Sequence, residues 1–182
     1  MRTQPYAASA APGGFSLIEL MVVITIVGIM VAIGAPSFSM MLEKQRMVTT
    51  VNELFAAINL TRSEAIQRGA RVDLVPVDGT NWSNGWMILV DENANQKADP
   101  GEKIVFIHGA VPAGISITSN FIDDTPLYLA YNGTGRTRTN ANSQSIQSGS
   151  FRFQSANVNR RIVINTLGRP YTCTPATATS TC

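Results

Sequence analysis

An uninterrupted apolar stretch near the start of the chain constrains this sequence more than any other feature. It covers residues 15–35, and Glu19 is the single charged residue within it. A helix of about 20 apolar residues spans the hydrocarbon core of a bilayer. The stretch is therefore predicted to be a transmembrane helix, and the alternative is the apolar part of a secretory signal peptide.

The order of small and apolar residues favours the membrane helix over the signal peptide. The stretch is longer than the apolar part of a signal peptide, and no A-x-A cleavage site follows it. The small pair Gly13-Gly14 precedes it instead. This order predicts that a short leader, residues 1–14, is removed and that the helix remains on the mature protein.

Glu19 is an acid within a predicted membrane helix, where an unpaired charge is costly and therefore suggests a function. In one interpretation its side chain lies near the end of the helix and reaches the aqueous interface. In the other it pairs with a cation at the same depth. Cleavage after Gly14 would create such a cation, the new amine of Phe15, on the same chain or on a neighbour.

Residues 14–21 resemble the leader junction of type IV pilins and type II secretion pseudopilins. The resemblance implies that a prepilin peptidase cleaves after Gly14 and methylates the new N-terminal Phe15. It also implies that Glu19 acts in subunit assembly by pairing with the N-terminus of an adjacent subunit. Pro36 falls where many members of this family have a proline that kinks the helix.

Residues 36–69 are predicted to continue as an amphipathic helix. Apolar side chains recur there at three- and four-residue steps or their multiples, which places them on one helix face. They are Met40, Met47, Val51, Leu54, Ile58 and Ala65. Gly69 follows at the position of a helix C-cap.

Residues 70–182 are predicted to form a β-rich domain, because short β-prone runs alternate there with Gly, Asn and Pro. Consecutive strands with short connections favour antiparallel pairing. The predicted fold class is α+β, a long N-terminal helix packed on a small antiparallel β-sheet domain. The candidate strands are Arg71–Val77, Trp86–Val90, Lys103–His108, Ile115–Thr118, Tyr128–Tyr131, Ser150–Gln154 and Arg161–Thr166.

Inner motifs are similar to those of the GspH/FimT branch of minor pilins and pseudopilins. They are Asn52-Glu53-Leu54, residues 62–66, Gly85-Trp86 and residues 91–102. The resemblance implies a subunit at or near a fibre tip that helps to start type IV pilus assembly, with other minor and major pilins or pseudopilins as partners. It implies a single-pass protein of the bacterial inner membrane with a periplasmic domain. A type II secretion pseudopilin and a pilus-associated DNA receptor for natural transformation are the alternatives.

The charge distribution bears on the DNA alternative. All 12 acids lie at or before Asp124, whereas the later charges are all arginines. Some FimT-type proteins bind DNA through a C-terminal Gly-Arg-x-Arg motif, but residues 168–171 have a tyrosine in place of the second arginine. A literal match at residues 135–138 lies in a predicted loop. The candidate DNA-binding residues are Arg160, Arg161, Arg169 and Tyr171, which could contact phosphates and stack on a base. A solvated basic surface, or one that docks on an acidic neighbouring subunit, is the alternative.

Residues 91–102 partly match a calcium-binding loop. Side chains with ligand oxygens occupy positions 1, 3, 5, 9 and 12 of an EF-hand template. They are Asp91, Asn93, Asn95, Asp99 and Glu102. However, Gln96 takes the position that requires glycine, and the flanking segments are predicted strands rather than helices. A polar hairpin loop that needs no ion is the alternative.

Cys173 and Cys182 are predicted to form a disulfide, because the domain would lie outside the cytoplasm, where disulfides persist. Its role would be structural, holding the C-terminal tail. His108 ends a predicted strand without a Cys or His cluster, and a structural or surface role is expected for it. One histidine and two cysteines leave little room for metal or nucleophile chemistry, so neither enzymatic activity nor a cofactor is predicted.

Overall fold

The computed structural model describes residues 14–141, 145–177 and 180. The chain divides into two compact units, residues 1–40 and residues 41–182. A single α-helix among the described residues, α1 (Leu17–Arg68), contributes to both units and runs through Pro36.

The part of α1 in the first unit is apolar and exposed. Its most apolar 18-residue window has a mean hydropathy of 2.6, and none of that window is buried. By length and composition, α1 is the one helix in the described part of the chain that could cross a membrane. An apolar surface of this kind needs a lipid or protein environment.

In the second unit, α1 buries one face as its sequence pattern predicts. Met47, Leu54, Ile58 and Ala65 are fully buried, whereas Met40, which was assigned to the same face, is about half exposed. Met40 lies seven residues before Met47 and therefore on the same helix face, but it belongs to the first unit, where the helix surface is exposed.

Gly69 ends α1 in the predicted way. Its φ is +63°, and its N–H donates to the carbonyl of Ile66 at 3.2 Å. The N–H of Ala70 donates to the carbonyl of Ala65 at 3.3 Å. These two bonds form a Schellman motif, which satisfies carbonyls that the helix leaves free.

Nine strands form two antiparallel sheets in the described part of the second unit. The first sheet has the order β3-β2-β1-β5-β6 and the second has the order β4-β7-β8-β9. The strands are β1 (Val72–Pro76), β2 (Trp86–Leu89), β3 (Ile104–His108), β4 (Ser116–Phe121), β5 (Leu129–Tyr131), β6 (Thr137–Arg138), β7 (Gly149–Gln154), β8 (Asn159–Ile164) and β9 (Pro170–Cys173). The α+β prediction is confirmed.

Two of these strands were not predicted. Strand β6 has only two residues and lies in the segment that was assigned to a loop. Strand β9 begins with Pro170, and proline is tolerated there because β9 is an edge strand and Pro170 is its first residue. Neither strand has a run of four or more β-branched and aromatic residues, which is the length that identifies a strand in sequence.

The core is formed by residues of α1 and of both sheets, and Trp82 is one of its largest fully buried side chains. Trp82 sits in a short 3-10 helix, Trp82–Asn84, and is 1% exposed. Its ring meets that of Phe151 edge to face, with centroids 4.8 Å apart. Its indole N–H donates to the hydroxyl of Ser119 at 3.1 Å. This one side chain therefore contacts two strands of the second sheet, β7 and β4.

Gly85 follows this turn and permits a close backbone approach. Its φ is +106°, and a Cβ atom there would lie 2.3 Å from the carbonyl oxygen of His108. Any side chain would therefore push β3 away from the start of β2. The Gly85-Trp86 pair thus has a packing explanation in this fold.

Candidate functional site

The N-terminal junction residues lie at the start of α1. Phe15 is 85% exposed. The backbone N–H of Ser16 donates to Glu19 Oε2 at 3.0 Å, and the backbone N–H of Glu19 donates to Ser16 Oγ at 3.2 Å. This reciprocal pair is a capping box, which satisfies free N–H groups at a helix start. Its Ser-x-x-Glu signature was present in the sequence but had not been recognised there.

The 91–102 loop connects β2 to β3 and is closed by its own hydrogen bonds. Buried Asp91 accepts from the backbone N–H groups of Asn95 and Gln96 at 3.2 and 2.8 Å. Asp99 Oδ2 accepts from the side-chain amides of Asn93 and Asn95 at 2.8 and 2.6 Å. These two amides hold the pKa of the Asp99 carboxyl below its usual range.

The calcium hypothesis for this loop receives no support from side-chain placement. Glu102, at the last template position, accepts from the backbone N–H groups of Glu92 and Asp99, both at 3.1 Å. Within residues 14–141, 145–177 and 180, no group of three or more Asp, Glu, His or Cys side chains is placed to hold a metal ion. Gln96, where the template requires glycine, has a φ of +62°. Calcium binding here stays a hypothesis.

An ion pair between Arg71 and Asp73 lies at the start of β1. Asp73 is fully buried, and its two carboxylate oxygens accept from Arg71 Nε and Nη2 at 2.7 and 2.6 Å. Burial raises the pKa of Asp73 from its ordinary value of 3.8 to about 6, and the neighbouring Asp91 adds to this shift, although Arg71 opposes it. Asp73 therefore holds a proton in the folded protein at mildly acidic pH.

This raised pKa predicts a stability that falls as the pH rises. The folded protein binds a proton on Asp73 more tightly than the unfolded chain does. The stability that this proton contributes is therefore lost as the pH rises from about 4 to about 6. Asp73→Asn mimics the protonated form and should lack this loss. From about pH 4 to pH 7, the free energy of unfolding of the variant should gain on that of the wild type by about 2 kcal/mol. Urea unfolding at both ends of the range measures the difference, and a constant difference would refute the assignment.

The four candidate DNA-binding residues do not form one patch. Arg160 and Arg161 are neighbours on β8, so their side chains lie on opposite faces of the sheet. Arg160 lies on the α1 side, in a cavity of about 280 Å³ that Val48 and Val51 also line, and its guanidinium donates to Thr174. Arg161 and Tyr171 share the other face, where Arg161 is 5% exposed.

Arg169 lies in the turn that joins β8 to β9. It is exposed, and its backbone N–H donates to the side chain of Asn165 at 2.9 Å. Gly168 precedes it with a φ of +73°, and its carbonyl accepts from the hydroxyl of Tyr131 at 2.8 Å. The Gly-Arg element that was compared with the DNA-binding motif is thus a hairpin turn fixed to the core.

His108 has the structural role that was expected. Its ring stacks on that of Trp86, with centroids 4.0 Å apart and an interplanar angle of 1°. Its Nε2 lies 3.4 Å from the carboxylate of Glu53 on α1. His108 thereby links the edge strand β3 to the helix.

Of the two predicted disulfide partners, Cys173 ends β9. Cys182 lies outside the described residues. The disulfide therefore stays a prediction.

Two family models match the chain. Residues 50–168 match the family described as type II transport protein GspH. Residues 11–35 match the prokaryotic N-terminal methylation motif. The first match covers most of the β-rich domain and the end of α1, and the second covers the leader junction and the apolar helix.

A curated relative and solved structures agree with these matches. The pilin-like protein PilA1 of Thermus thermophilus is 32% identical over 95 residues, which are 52% of this chain and 58% of that protein. The chain thus matches just over half the length of this relative.

The type IV minor pilin FimU of Pseudomonas aeruginosa superimposes with a TM-score of 0.57 and 15% identity, covering 75% of this chain and 97% of FimU. The minor pseudopilin EpsH of the Vibrio cholerae type 2 secretion system gives a TM-score of 0.51 and 12% identity, covering 72% of this chain and 99% of EpsH. At these identities the likeness shows a shared fold. Pilins and pseudopilins are structural components rather than enzymes. The chain belongs to the GspH family, among the type IV minor pilins and pseudopilins.

Proposed function

We propose that the protein is a minor pilin that takes part in type IV pilus assembly and its initiation. One observation carries the proposal: a methylation motif and an exposed apolar helix precede a GspH domain in one chain. Prepilin peptidase would cleave after Gly14 and methylate Phe15. The protein would be anchored in the inner membrane, with residues 70–182 in the periplasm, before it enters the fibre.

The proposed assembly step follows from the exposed apolar surface of α1. The first part of the helix exposes apolar side chains along its described length. In the membrane these side chains contact lipid, and in a fibre they would pack against the helices of other pilins. Glu19 would pair with the methylated amine of an adjacent subunit, which neutralises an otherwise costly charge and sets the axial position of the subunit.

A type II secretion pseudopilin with the same chemistry is the second candidate, because the fold likeness extends to EpsH as well as FimU. The match to a pilin-like protein and the Gly-Arg and Cys pattern near the C-terminus favour the pilus. A DNA receptor is the less favoured alternative, since Arg160 and Arg161 lie on opposite faces of the second sheet.

Deletion of the gene separates the first two candidates. The amount of pili sheared from the cell surface and the amount of secreted type II substrate are measured in the deletion strain and in a complemented control. The expected result is loss of pili with normal secretion in the deletion strain, and restoration of pili by complementation. Normal pili with lost secretion would instead assign the protein to the secretion system.

A further inference from the structure

Two arginines lie side by side on the outer face of the second sheet, the face turned away from α1. Arg152 on β7 and Arg161 on β8 are register partners. The cross-strand row that contains them begins with Thr118 on β4 and ends with Cys173 on β9. Like charges directly opposite each other repel and destabilise a sheet. These two residues are called the Arg152–Arg161 site below.

The guanidinium groups of this site lack the partners that buried charges normally have. Arg161 is 5% exposed, and its Nε and Nη2 are buried without a hydrogen-bond partner. Arg152 Nε is also buried without one. Buried charges are ordinarily paired, because an unpaired one loses its hydration without compensation. None of the described strand residues on this face is Asp or Glu, so the strands themselves do not supply an anion there.

Space for an anion adjoins both guanidinium groups. A cavity of about 520 Å³ is lined by Arg152 and Arg161 together with Asn120, Ser150 and Tyr171. A smaller cavity of about 140 Å³, lined by the same two arginines and by Thr118, lies next to them. Hydroxyl and amide groups in these walls can complete the hydrogen bonding of a small oxyanion.

We propose that the Arg152–Arg161 site binds one carboxylate, supplied by an Asp or Glu side chain of a neighbouring subunit in the fibre. Guanidinium groups bind carboxylates with two parallel, charge-assisted hydrogen bonds. One carboxylate between two arginines removes their repulsion and gives the unpartnered N–H groups an acceptor. The subunit origin of the carboxylate rests on the proposed function.

The geometry favours a single carboxylate over a nucleic acid strand. Binding a strand requires several cations that follow its backbone, usually with aromatic groups on which bases stack. Here the two arginines are the charged strand residues of this face and lie at one point, whereas Arg160 lies on the opposite face. Two adjacent guanidinium groups can bind one carboxylate. An acidic side chain supplies a single carboxylate, whereas a nucleic acid strand carries many phosphates.

The binding step is tested with the full chain in detergent and acetate as the carboxylate probe. Acetate and chloride are compared at equal ionic strength, and the Nε–H resonances of Arg152 and Arg161 are followed by NMR. We expect acetate to shift these resonances in the wild type, and Arg152→Gln or Arg161→Gln to weaken acetate binding about tenfold or more. Arg169→Gln, which removes an exposed arginine outside the site, is the matched control and should bind as the wild type does.

A folding measurement shows whether a variant binds acetate more weakly only because it is unfolded. Because the two arginines repel each other, Arg152→Gln should melt at the same temperature as the wild type, or higher, when acetate is absent. The proposal would be overturned if a single-stranded oligonucleotide shifted the same resonances while acetate left them unchanged. The ligand of the site would then be a nucleic acid rather than a carboxylate. Equal acetate binding by the wild type and both site variants would overturn it as well.

The cellular test separates this proposal from the proposed function. The amount of subunit in sheared fibres is measured for the wild type, Arg152→Gln, Arg161→Gln and the Arg169→Gln control. Severalfold loss in the two site variants only is the expected result. Wild-type amounts in the site variants would overturn the subunit contact while leaving the pilin function intact. Absence of the wild-type protein itself from fibres would instead refute the pilin function and the fibre origin of the carboxylate.

Discussion

Replacing Glu19 by alanine is expected to abolish incorporation of the subunit into fibres, while the β-rich domain remains folded. Glu19 is the single charge in residues 15–35, so its replacement removes the one group there that can pair with the amine of an adjacent subunit. Residue 19 is remote in sequence from the core, whose first member on α1 is Met47. Immunodetection of the subunit in sheared fibres and in membranes measures both parts of the prediction.

The capping box requires a control, because Glu19 also bonds to the backbone N–H of Ser16. Glutamine can complete a capping box but carries no charge. If charge pairing drives assembly, Glu19→Gln should fail as Glu19→Ala does, whereas Ser16→Ala, which costs about 1 kcal/mol of helix capping, should still assemble. Normal incorporation of Glu19→Gln would contradict the pairing role and leave Glu19 as a helix cap.

Replacing Trp82 by alanine should lower the free energy of unfolding of the domain by about 3–5 kcal/mol. The substitution leaves a cavity beside Phe151 and removes the hydrogen bond to Ser119. Because domains have a total stability of about 5–15 kcal/mol, this loss would bring the domain close to unfolding. Urea unfolding followed by circular dichroism measures it.

Two further variants locate the origin of this effect. Trp82→Phe keeps an aromatic ring near Phe151 but loses the bond to Ser119, so a smaller loss is expected. Ile107→Ala removes a side chain that is 57% exposed on the edge strand and should change the stability by less than about 0.5 kcal/mol. A loss of similar size in Ile107→Ala and Trp82→Ala would contradict the assignment of Trp82 to the core.

Features with a short sequence period could be predicted from the sequence. The buried face of α1 repeats every three or four residues, and Leu54 and Ile58 lie in the core accordingly. Gly69 ends the helix because a C-cap needs a residue that adopts positive φ easily. The family itself was recognisable at residues 14–21, where an acid stands in an apolar segment.

Features that depend on strand register could not be predicted in this way. Alternation along a strand would have separated Arg160 from Arg161, but the limits of β8 had to be known within one residue. The pairing of Arg152 with Arg161 depends on the hairpin that joins β7 to β8. The raised pKa of Asp73 results from burial, which local sequence does not reveal for a charged residue on a strand.

Mass spectrometry of purified, sheared fibres tests the central claim most directly. The account predicts a peptide that begins at Phe15 and carries one methyl group on its α-amine, because cleavage after Gly14, methylation and incorporation must all have occurred to place it there. Fibres without this peptide, in cells where the protein still carries residues 1–14, would contradict the assignment of the chain as an assembled pilin.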